Sequence, residues 1–207
     1  MKVKIVHIAK ELKNHAPFTA FGAATGVAIM LVIVFFNVPG KISYTAFYIL
    51  HPAHIILSAL TTTAMYRLHN HSRLWVIILI GYTGSIGIAT LSDALIPYAG
   101  MHLLGIKIPF SIPFMEELWI TPLAFVGIAI GYLLPTTKFP HAGHVLLSTW
   151  ASLFYITQHK TVIQGWMLFF IFLFLFLSVW LPCCISDIVY PLLFFKNKEK
   201  EHLSKKY

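Results

Sequence analysis

Six stretches of this chain are continuously apolar and close to the length of a membrane span: 17–36, 44–66, 74–97, 118–135, 141–157 and 163–182. A helix needs roughly 20 such residues to cross the ~30 Å hydrocarbon core of a bilayer. Within lipid the backbone must satisfy its own hydrogen bonds, which leaves helix bundles and closed barrels as the available folds. The runs do not alternate, so they read as helices and not as barrel strands. Composition agrees, since 58% apolar and 11% charged residues leave too little polar surface for a water-soluble globule of 207 residues. The expected fold is therefore all-α and integral to the membrane, with six transmembrane helices.

The basic residues set the orientation. Lys2, Lys4, Lys10 and Lys13 precede the first run, Arg67 and Arg73 separate the second from the third, Lys138 separates the fourth from the fifth, and five lysines from Lys196 to Lys206 follow the sixth. That places 12 of the 15 Lys and Arg on one side, against Lys41, Lys107 and Lys160 on the other. By the positive-inside rule both termini are cytoplasmic. The reading places the chain in the cytoplasmic (plasma) membrane of a prokaryote, with no cleaved leader before the first run. The net charge of +8 serves topology and attraction to anionic lipid, and no basic stripe with interleaved aromatics points to nucleic acid. Cys183 and Cys184 are adjacent and give no sign of an oxidising compartment.

The chain holds only two aspartates, and each closes a copy of one pattern. His51-x-x-His54-x-x-Leu57-Ser58 is followed by Ser92-Asp93-x-x-x-Pro97, and His141-x-x-His144-x-x-Leu147-Ser148 by Ser186-Asp187-x-x-x-Pro191. The aspartate follows the first histidine by 42 positions in one copy and 46 in the other. This match divides the chain into a basic cytoplasmic N-terminal segment (1–16), a first repeat of three spans (17–100), an extramembrane or interfacial connection (101–117), a second repeat (118–195) and a basic cytoplasmic tail (196–207). A repeat with an odd number of spans inserts its second copy upside down, as in many secondary transporters.

Pro52 after His51 and Pro140 before His141 suggest that each motif opens a helix, where a missing N–H is harmless. Ile42–Leu50 then becomes a re-entrant or extended approach, and Pro97 and Pro191 stop or kink the helices that carry the aspartates. On that layout His51, His54 and Asp93 gather at the outer face, and His141, His144 and Asp187 at the inner face. His15, Glu116, Glu117, His102 and Cys184 are further ligand candidates. The apolar residues from Trp166 to Trp180 suit a lipid-facing segment, and Gly81, Gly84 and Gly87 mark one face for close helix packing.

Two histidines at i and i+3 share a helix face about 5–6 Å apart. With an aspartate from a neighbouring helix they offer the N/O set that suits Zn, Fe, Mn, Ni or Co and leaves a position open. A lone His-x-x-His can also be a helix cap, and Ser-Asp can bond backbone freed by a proline. What weighs for chemistry is the cost of an ionised carboxylate in a bilayer, about 2.5 kcal/mol upward. Ser58 and Ser148 read as hydrogen-bonding groups between helices, and His7, His69, His71, His159 and His202 as solvated flanks.

Three functions are compatible with this pattern. The first is a transporter of a divalent transition metal, as a homodimer or in a small membrane complex. The second is a membrane-embedded hydrolase or oxidoreductase that uses the same ligands, with Glu117 or Glu116 as general base. The third is a b-type haem protein with one axial histidine from each half. Separate clusters on opposite faces favour transport, whereas one cluster drawing on both copies favours catalysis.

Overall fold

A computed structural model describes residues 2–69, 74–135, 138–159, 164–184 and 190; the side chains of residues 2–15, 18, 69, 138–142 and 184 are outside the description. The described residues are all helical or in short connections, as expected. Among the described residues there are eight α-helices: α1 (Lys2–Phe35), α2 (Gly40–His69), α3 (Leu74–Thr90), α4 (Ile96–Leu103), α5 (Pro113–Glu116), α6 (Ile120–Leu133), α7 (Lys138–Thr157) and α8 (Met167–Cys184). One π turn, Leu91–Leu95, joins α3 to α4 without a break.

The continuous helix Leu74–Leu103 has 30 residues and is, among the described residues, the one long and apolar enough to cross a membrane. Thr19–Phe35, Ile120–Leu133 and Met167–Cys183 are shorter apolar helices. α6, with 14 residues, reaches about 21 Å at 1.5 Å per residue, short of a full hydrocarbon core.

Two helix boundaries differ from the sequence reading. α2 begins at Gly40, directly after Pro39, so Ile42–Leu50 is helical and neither re-entrant nor extended. His51 therefore lies well inside α2, with Pro52 as an interior proline. The helix carrying Asp93 neither stops nor breaks before Pro97; it relaxes through the π turn and continues to Leu103.

α2 and α7 are the central pair. α2 packs on α7, α6 and α3; α7 packs also on α1 and α8; α1 contacts α8, and α3 contacts α6. Small polar residues fill the α2 and α7 faces: Ser58, Thr61, Thr62, Thr63, Ser148, Thr149 and Ser152 are all buried. Small side chains let helix backbones approach closely. The closest approach is of α6 to α2, where a Cβ on Gly127 or Gly131 would collide with the carbonyl oxygens of Ile56 and Leu60. Gly81 and Gly84 likewise face Thr63, Ile128, Thr62 and Tyr190, but Gly87 meets nothing within 4 Å. Along α8 only one face is exposed: Phe169, Phe170 and Leu173 point outward while Met167, Ile171, Leu175 and Val179 are buried.

Candidate metal centre

Three residues apart on α2, His51 and His54 present their rings on the same helix face. Both turn Nδ1 toward one atom, Oδ2 of Asp93, at 2.8 Å and 2.7 Å. The other carboxylate oxygen, Oδ1, accepts the hydroxyls of Ser92 at 2.8 Å and Ser148 at 2.6 Å. All five side chains are buried, with relative exposure of 0% for His51, His54, Ser92, Asp93 and Ser148. A carboxylate has about four lone-pair positions, and here four donors occupy them. Hydrogen bonds to an ionised acceptor are roughly twice as strong as neutral ones, which offsets the cost of burying the charge.

The π turn explains why the motif carries a proline five residues after its serine. Ile96 N–H donates to the Leu91 carbonyl, a five-residue step. The same step from Ser92 ends at Pro97, which has no N–H to give. The Ser92 carbonyl instead accepts the Ser152 hydroxyl at 2.9 Å, and Ser152 also bonds the Ser148 carbonyl one turn earlier in α7 at 2.8 Å. Two successive serines of α7 thus hold the two residues that position the carboxylate.

Around this centre, Phe47 stacks on His51 with ring centres 5.2 Å apart and 14° between planes. The ring of His144, on α7, stands 5.6 Å from that of His54, tilted by 34°. His51 Nε2 and His54 Nε2 are buried and make no hydrogen bond. A neutral imidazole that donates Nδ1–H to Asp93 keeps a bare lone pair on Nε2.

The sequence reading put the two motif copies at opposite faces. The described residues of the second copy do not keep to an opposite face: Ser148 meets Asp93 and His144 meets His54 of the first. The expected layout depends on the misplaced start of α2, which set His51 at a helix end. His51, His54 and Asp93 form a buried group whose ligand atoms lie within 4.8 Å of one another and which could hold a metal ion. The side chains of His15, His141 and Cys184, and the whole of Asp187, are outside the described residues.

Other candidates stand apart from this group. Glu116 accepts hydrogen bonds from Tyr48 at 3.1 Å and Ser111 at 2.9 Å, both bonds being exposed. Glu117 accepts from the Trp119 indole at 2.8 Å. His102 is exposed and stacks on Tyr98 at 5.7 Å. His159, read as solvated, is part-buried beside Tyr155, and that burial lowers its pKa below the ordinary imidazole range. Ser152 was missed in the sequence; its signal is the four-residue spacing from Ser148, which places both hydroxyls on one face of α7. No family model, curated protein or solved structure matches this chain.

Proposed function

We propose that this chain is an integral membrane protein that binds a divalent transition-metal ion where its two halves meet and carries the ion across the bilayer. The observation that carries this reading is the bond from Ser148 of the second motif copy to Asp93 of the first. The centre belongs to both halves at once.

The helix pairings support two inverted repeats. Exchanging α1 with α6, α2 with α7, and the α3–α4 segment with α8 maps four pairings onto one another or themselves: α2–α6 becomes α7–α1, α2–α3 becomes α7–α8, α1–α8 becomes α6–α3, and α2–α7 is unchanged; the contacts of α7 with Leu91–Leu95 and with α4 have no α2–α8 counterpart of similar extent among the described residues. In carriers of this architecture the ion site lies near the bilayer midplane at the repeat interface. His51 and His54 fall in the middle third of α2, and Ser148 near the middle of α7. Large apolar side chains cover the outside, including Phe21, Phe35, Phe36, Leu103, Leu133 and Phe169, as a lipid-facing surface requires.

Convergence of both copies is the outcome that the sequence pattern assigns to the second reading, a membrane-embedded metalloenzyme. Two observations favour carriage over it. The centre is sealed, which suits an occluded ion better than a lipid-like or peptide substrate. The proposed general bases, Glu116 and Glu117, are engaged elsewhere. The residues fit a metal through the chemistry of the donors: two buried imidazole nitrogens without partners beside a carboxylate.

The test is Zn²⁺ flux into proteoliposomes loaded with a zinc-sensitive dye, with metal analysis of the purified protein. Wild type should bind Zn²⁺ and pass it down a gradient, and Asp93→Asn should pass at least tenfold less. A protein that binds no metal and passes none refutes the reading.

A further inference from the structure

The network around Asp93 fixes which atoms remain for an ion. If Asp93 were itself a ligand through Oδ2, with His51 and His54 binding through Nδ1, both imidazoles would carry their proton on Nε2. Both Nε2–H groups would then be buried without an acceptor. Each such orphan costs about 1–3 kcal/mol. The Nδ1–H tautomer avoids this, because its proton is donated to the carboxylate that faces Nδ1 and Nε2 keeps its lone pair. Metal-binding histidines commonly have this pattern, one nitrogen on the ion and the other donating to a carboxylate that orients the ring.

Nδ1 of both His51 and His54 is turned to the single oxygen Oδ2, which leaves Nε2 as the ligand atom of each ring. His51 is covered by the stacked Phe47 ring. His54 instead stands beside His144, a buried imidazole of the other half, with ring centres 5.6 Å apart. Two imidazoles on one ion, at about 2.0–2.1 Å per nitrogen, place their ring centres roughly 5–6 Å apart. The observed separation falls in that interval.

We infer that the ion binds between His54 of α2 and His144 of α7, one imidazole from each half, with Asp93 as a positioning residue behind His54 and not as a ligand. His54 and His144 are the same position of the two motif copies, the second histidine of each. An ion held by that pair lies on the axis relating the halves and faces both sides of the bundle equivalently. The two halves can then exchange conformations without exchanging ligands. Imidazole pairs select Zn, Cu, Fe or Ni over Mg, Ca or Mn. This inference rests on the proposal that the protein binds such an ion.

The test titrates Zn²⁺ and Co²⁺ into the full-length, metal-stripped protein in detergent. Wild type should take one ion per chain. His54→Ala and His144→Ala should each weaken binding at least 100-fold, and the double variant should be no weaker than either. Asp93→Asn should weaken it only about 10–100-fold, as loss of an orienting partner does. Retention of binding within threefold in His144→Ala overturns the inference and leaves metal binding standing, as does complete loss in Asp93→Asn. Absence of binding in wild type refutes both proposals. Should the histidine variants fail to fold, ¹⁵N-histidine-labelled wild type decides: Zn²⁺ should shift Nε2 of two histidines while Nδ1 of His54 stays protonated, and metal at Nδ1 of His54 overturns the inference.

Discussion

Ser148 of α7 donates its hydroxyl to Oδ1 of Asp93 at 2.6 Å, across the join between two copies of one sequence motif. A buried carboxylate that depends on a donor from the other half makes the halves energetically interdependent. It also accounts for the small polar faces of α2 and α7, which let the two helices close on each other.

Replacing Ser148 with Ala should therefore cost more than an ordinary hydroxyl deletion. It removes one of four donors and leaves a lone pair of a buried anion unmet, a loss of about 1–3 kcal/mol. Thermal unfolding in detergent should show this for Ser148→Ala. In a double-mutant cycle with Asp93→Asn the coupling should exceed about 0.5 kcal/mol, the level above which two sites are interacting. Additive effects would mean that the hydroxyl and carboxylate do not act on each other.

The approach of α6 to α2 predicts a contrast among glycines. Gly127→Ala and Gly131→Ala put a methyl against backbone carbonyls of Ile56 and Leu60, which cannot swing aside as a side chain can. Each should destabilise by about 1–3 kcal/mol, the usual cost of overpacking. Gly87→Ala meets open space and should stabilise the helix by up to about 1 kcal/mol, the difference in helix propensity. Unfolding midpoints of the three variants test the ordering.

Much of this architecture was legible in the sequence, and the failures have specific causes. Continuous apolar runs marked the chain as all-helical, but among the described residues only Leu74–Leu103 has the length and apolarity expected of all six runs. His51, His54 and Asp93 were grouped because rare ionisable residues in apolar surroundings need one another. The start of α2 was misread because His-Pro resembles a first turn; an interior proline costs one helical hydrogen bond, which packing in a bundle can outweigh. The two-faced layout depends on that start, because it sets the level of each cluster by a helix end. Gly127-x-x-x-Gly131 was overlooked although its spacing is the small-residue signature of close helix contact. The place of Glu116 depends on the fold of the connection before α6, where Tyr48 and Ser111 hold it, and no local pattern encodes that tie.

Glu116 and Glu117 should be dispensable for metal binding. Glu116 bonds to half-buried Tyr48 and Ser111 and Glu117 to exposed Trp119, all outside the buried group, and solvent-accessible contacts of this kind contribute about 0–1 kcal/mol. Glu116→Gln, Glu117→Gln and His102→Ala should each bind Zn²⁺ within about twofold of wild type and unfold within about 1 kcal/mol of it. A tenfold loss of affinity in any of the three would bring that residue back to the centre.

Pro97 and Ser152 should be coupled although they lie on different helices. Pro97 deprives the Ser92 carbonyl of its partner within the π turn, and Ser152 supplies the substitute at 2.9 Å. In the wild-type background Ser152→Ala leaves that carbonyl buried and unmet, at a cost of about 1–3 kcal/mol. Pro97→Ala restores an N–H five residues after Ser92, so the carbonyl gains a partner from its own helix. In that background Ser152→Ala should cost at least 0.5 kcal/mol less, a positive coupling readable from four unfolding curves. Because the π turn also aims Asp93, Pro97→Ala should weaken Zn²⁺ binding even as the carbonyl is satisfied. An equal cost of Ser152→Ala in both backgrounds would mean that the proline does not create the vacancy the serine fills.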